Sequence, residues 1–159
     1  MMQENPDGLR QLEGTAYHEA GHAIVALLLG FSVESAGIDL NGGYCIWNET
    51  LYVSEDRFPE SWAAVNLAGS IAREIATGEP DSGQLTQDEL AVRSLSVGPE
   101  GLEELLGQAR SRAEEILQNS WPLVQVLARA LLKYRRLQGE QIQDIIMGSI
   151  DGGETISLN

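Results

Sequence analysis

Only two histidines occur in this chain of 159 residues, and they lie four positions apart in His18-Glu19-Ala20-Gly21-His22. On a helix, positions i and i+4 share a face, so both imidazoles can direct one nitrogen at a common cation. A glutamate directly after the first histidine sits beside that cation without having to ligate it. From there it can take a proton from an activated water and pass it to a leaving amine. The surrounding residues are apolar, and buried polar side chains need partners, which a metal ion provides. The spacing predicts a zinc site with His18 and His22 as ligands and Glu19 as general base. Gly21 leaves room, either for the metal or for a neighbouring element.

A catalytic zinc ion takes three protein ligands and a water. With no further histidine in the chain, the zinc proteases whose motif ends in a third one are excluded. The remaining ligand is an acid or Cys45, the only cysteine. Asp81, Asp88 and Glu89 are candidates by loop position, and Glu74 by its place on a helix. Glu89 also fits a capping box with Thr86, and Asp88 would be favoured in a first helical turn by the dipole alone. Spacing does not choose among them.

These residues need elements to hold them. Residues 1–14 are polar, contain Pro6 and Gly8, and read as a flexible lead-in. Thr15 fits an N-cap for a first helix over about 16–29, apolar nearly all round toward its end and therefore central. Val33, Ala36, Ile38 and Leu40 read as a strand, Asn41-Gly42-Gly43 as a turn, residues 44–47 as a second strand and 51–53 as a short third. Helices follow over about 59–77, from Thr86 to 97, 99–118, 120–138 and 141–147. Residues 149–159 read as a frayed tail. The fold class is mainly α with a small antiparallel β element, in a single domain over 15–148. Trp47, Trp62 and Trp121 read as core anchors.

Composition narrows the partners. Ten Lys+Arg against 24 Asp+Glu leave a net charge of −14. Such a surface repels phosphate backbones and anionic lipid, so neither nucleic acid nor a membrane surface is expected as a partner. No apolar run reaches the ~20 residues needed to span a bilayer, and no basic-then-apolar leader opens the chain. A lone cysteine fits a reducing compartment. A cytoplasmic domain is expected.

The residues 15–23, Thr-Ala-Tyr-His-Glu-Ala-Gly-His-Ala, resemble the zinc motif of the peptidase domain in the FtsH family of metalloproteases. Three further stretches agree in order: Leu67-Ala68-Gly69-Ser70-Ile71-Ala72-Arg73-Glu74, the loop from Thr77-Gly78-Glu79 to Asp88, and the helices over 113–142. The resemblance runs from about Thr15 to Ile146, is weakest between Phe31 and Trp62, and extends to neither the family's AAA+ ATPase nor its membrane anchor. It implies Asp88 as third zinc ligand, placed by one extra loop residue. It also implies Glu74 as a glutamate that supports a histidine. A zinc metalloendopeptidase acting on flexible or unfolded polypeptide is the implied activity, with a separate AAA+ ATPase as possible partner and a hexamer as the family's assembly. A catalytically silent interaction or adaptor domain is the alternative, and the intact Glu19 argues against it.

Overall fold

The computed structural model describes residues 6–48, 57–79, 82–95 and 99–150. The strand expected at 51–53, Asp81 and the tail beyond 150 lie outside the described residues.

The first helix, α1 (Pro6–Leu28), begins well before the expected start near residue 16. Proline at the first position and Asp7 in the first turn are both favourable there, because the proline needs no N–H partner and the acid faces the positive helix end. Thr15 is therefore not a cap; its hydroxyl donates back to the Gln11 carbonyl at 2.9 Å within the helix. Nearly every residue from Leu12 to Ala26 is buried, so α1 is the central strut. It packs against α2 (Phe58–Thr77), α5 (Trp121–Tyr134) and the sheet.

The α1–α2 seam is built from small residues. A Cβ on Gly21 would lie 2.5 Å from the Ala72 Cβ and 2.9 Å from the Ala68 carbonyl oxygen. The space left by Gly21 is thus taken by the neighbouring helix, not by the metal site. Helix α2 ends on Gly78, whose φ of 75° and N–H bond to the Glu74 carbonyl make a left-handed cap.

Strands β1 (Ser32–Asp39) and β2 (Gly42–Asn48) form a hairpin whose turn is Leu40-Asn41, one residue earlier than expected. Both glycines after the turn belong to β2. A third strand, β3 (Arg136–Gln138), pairs antiparallel with β1, giving the order β2-β1-β3. These residues were expected to continue the preceding helix. Instead α5 stops at Tyr134, and Arg135 turns the chain at φ 68°, ψ −34°, with its carbonyl accepting from Ile38 N–H at 2.9 Å. Helices α3 (Ser82–Arg93), α4 (Pro99–Asn119) and α6 (Gly139–Ile150) complete the fold. Since α3 starts at Ser82, Thr86 lies inside it and the expected capping box does not form. The result is mainly helical with one small antiparallel sheet.

Candidate metal centre

His18 and His22 lie in the buried middle of α1, 3 % and 8 % exposed. The helical turn between them brings their Nε2 atoms to 3.0 Å. Across the α1–α2 seam, His22 Nδ1 is 2.7 Å from the Val65 carbonyl oxygen. A carbonyl only accepts, so Nδ1 carries the hydrogen and donates it. Burial, and then the neighbouring His18, lower the His22 pKa to about 4; Asp88 and the Val65 carbonyl act the other way. The ring is neutral at pH 7, and its proton is committed to Val65. Nε2 therefore presents a bare lone pair toward His18.

Asp88, near the middle of α3, closes the group. Its Oδ2 is 3.4 Å from His18 Nε2 and 3.6 Å from His22 Nε2. Around a tetrahedral zinc ion with bonds of ~2.0–2.1 Å, neighbouring ligand atoms are ~3.3 Å apart. The observed triangle of 3.0, 3.4 and 3.6 Å has that size. Two nitrogens and a carboxylate oxygen are also the donor types zinc accepts. These residues could hold a metal ion.

Two α2 residues shape the group, and sequence reasoning gave neither a role. A Cβ on Gly69 would lie 2.3 Å from His22 Nε2 and 2.7 Å from His18 Nε2. The missing side chain is the space into which both imidazoles point. The buried Ser70 hydroxyl donates to Asp88 Oδ2 at 3.4 Å, orienting the carboxylate. A glycine in the interior of an apolar helix, where alanine is favoured by about 1 kcal/mol, is the signal that was available for Gly69.

A cleft of about 240 Å³ opens over the group, lined by Glu19, Gly43, Cys45, Trp47, Asn66 and the three possible ligands. Glu19 is 4 % exposed and lies under β2, where a Cβ on Gly43 would come within 2.8 Å of its Oε2. Trp47 packs edge-on against Phe31 at 5.0 Å and also walls the cleft, so it is more than a core anchor. Trp62 packs near Trp47 at 6.5 Å, and Trp121 stacks on Tyr17 at 5.5 Å. The Cys45 thiol is shifted upward by burial and, secondarily, by Glu19, which keeps it a neutral thiol rather than a thiolate ligand.

The other acids lie elsewhere. Glu89 pairs with Arg93 at 3.5 Å. Glu74 is exposed on the last turns of α2.

No family model matches the chain. Over 84 % of its length it is 26 % identical to two proteins named ATP-dependent zinc metalloprotease FtsH, from Streptococcus pneumoniae serotype 4 (strain ATCC BAA-334 / TIGR4) and from Streptococcus pneumoniae (strain ATCC BAA-255 / R6). The chain spans 28 % of the length of these relatives. The likeness marks an FtsH-related region. Among the described residues, no helix is long and apolar enough to cross a membrane.

Proposed function

We propose that the chain is a zinc-dependent metallopeptidase that cleaves flexible polypeptide. The observation carrying this reading is the convergence of two imidazole nitrogens and one carboxylate oxygen within 3.6 Å, beside a buried glutamate, in an open cleft. His18, His22 and Asp88 would hold the ion. When bound, zinc supplies Lewis acidity toward a carbonyl oxygen and brings the pKa of water into the neutral range.

The protein's own residues do the rest. The Val65 carbonyl fixes the His22 tautomer, and Ser70 fixes the Asp88 carboxylate. Glu19, shielded under β2, accepts the proton of the attacking water and delivers it to the departing amine nitrogen. A cleft of about 240 Å³ is far smaller than a folded domain, which favours substrate that arrives locally unfolded. The relatives are named as ATP-dependent, and a separate ATPase that delivers substrate is the partner this reading predicts.

Two measurements test the reading together: zinc per chain, and cleavage of a fluorescent casein. Glu19→Gln keeps the shape and removes the base. The variant should retain zinc and lose about 10²–10⁴ in rate. Zinc-loaded protein that cleaves no unfolded substrate would instead support a silent interaction domain.

A further inference from the structure

The charge of this protein is unevenly distributed. Between Glu115 and Glu140 the chain carries no acid, yet four of its ten cations, Arg129, Lys133, Arg135 and Arg136, fall there within eight residues. All four are exposed at the corner where α5 turns into β3. None has an ion-pair partner among the described residues, whereas Arg93 is paired with both Glu89 and Glu103. Lys133 Nζ lies 5.4 Å from the centre of the exposed Tyr134 ring.

Cations near a helix C-terminus are favoured by its dipole, which accounts for Lys133 and Arg135 but not for Arg129 or Arg136. The backbone adds an independent observation. Arg135 is the only non-glycine residue with positive φ among the described residues. A cap at that conformation is relaxed for glycine and strained for arginine. The corner therefore carries a guanidinium at a conformational cost that glycine would remove. The paired row Arg136, Gly37 and Tyr44 extends the surface across the sheet, with the Tyr44 ring lying over Gly37. Tyr44 alternates with the cleft-lining Gly43 and Cys45, so this is the sheet face opposite the metal centre.

We propose that the Arg129–Lys133–Arg135–Arg136 corner is a docking site for a short acidic segment of a partner protein. The extent of the patch favours that occupant. Arg129 and Lys133 are about one helical turn apart, ~6 Å, and Arg135 and Arg136 follow at once on the turn and the adjoining strand, so the patch is short. A nucleic-acid backbone or a lipid surface is longer than the patch and would overrun it onto a protein of net charge −14.

The test is anisotropy of a labelled hexaglutamate peptide with the 159-residue protein at about 50 and about 150 mM salt. An oligothymidylate and phosphatidylserine vesicles serve as rival probes. The peptide should bind, more weakly at the higher salt, and R129E/K133E/R136E should weaken it about tenfold or more. Arg135→Gly should weaken it severalfold without lowering the melting temperature, and this variant decides the matter if the charge reversal unfolds. Unchanged affinity in the folded variants, no peptide binding, or tighter binding of the oligonucleotide or vesicles overturns the proposal. So does a dimer of the wild type that the variants dissolve, since the occupant is then a second copy. None of these readouts depends on zinc or on cleavage.

Discussion

Replacing Gly69 by alanine separates the metal centre from the fold that carries it. The new methyl would sit 2.3 Å from His22 Nε2 and 2.7 Å from His18 Nε2, against an ordinary contact of ~3.5 Å. Something must move by about 1 Å. The atoms in the way are the tips of imidazole rings rather than backbone, so the rings rotate and the helices stay in place. Alanine gains about 1 kcal/mol of helix propensity over glycine, and overpacking costs about 1–3 kcal/mol, so metal-free stability falls by about 0–2 kcal/mol and the comparison must be made within each variant, with and without zinc. Zinc binding loses its geometry. For the wild type, zinc at 100 times its dissociation constant adds about 2.7 kcal/mol, equivalent to about 5–11 °C in melting temperature for a chain of this size. Thermal denaturation with chelator and with zinc should show that shift in the wild type and none in Gly69→Ala. A variant that retained both the zinc content and the shift would refute the argument, because the imidazoles could not then be converging on that space.

Three other outcomes are expected. Asp88→Ala should weaken zinc about 100-fold or more by chelator competition, whereas Asp81→Ala should leave it unchanged; the reverse would assign the third ligand to the wrong acid. In metal-free protein, unfolded His22 takes up a proton below ~6.5, while folded His22 does so only near 4, so its contribution to stability is complete above ~6.5 and is lost as pH falls. Between pH ~7 and ~4.5, urea denaturation of the wild type should lose about 2–3 kcal/mol more than that of His22→Gln. Gly21→Ala should lower the melting temperature by several degrees despite better helix propensity, because its methyl meets the Ala68 backbone carbonyl at 2.9 Å and helices must part. A stabilised Gly21→Ala would mean that the α1–α2 seam has slack.

What was legible in the sequence divides according to whether the cause is local. The His18–His22 face and the Glu19 position follow from helical geometry alone, so one turn of sequence suffices to place them. Asp88 does not, because its approach to the histidines depends on how α3 crosses α2. Composition left it level with Asp81 and Glu89, and the FtsH-like order of motifs alone singled it out. Two local rules misled for tertiary reasons. Thr15 and Thr86 both look like caps, yet each lies inside a longer helix. In α1, Gly14 is the point where the Arg73 guanidinium packs, a Cβ there coming within 2.9 Å of it.

Strand β3 is the clearest instance of a cause absent from its own residues. Arg136-Leu137-Gln138 continues the apolar spacing of α5, and no glycine or proline marks the turn before it. It is a strand because β1 offers Ala36 and Gly37 as partners for Leu137 and Arg136, and because Ile38 N–H takes the Arg135 carbonyl. That pairing outweighs the strain at Arg135, a cost of order 1–3 kcal/mol for a residue other than glycine at positive φ. Sheet pairing explains why the chain turns there, but not why an arginine makes the turn. Glycine would relieve the strain, whereas arginine places a cation at the negative end of α5, and the docking proposed above gives that same charge a second use.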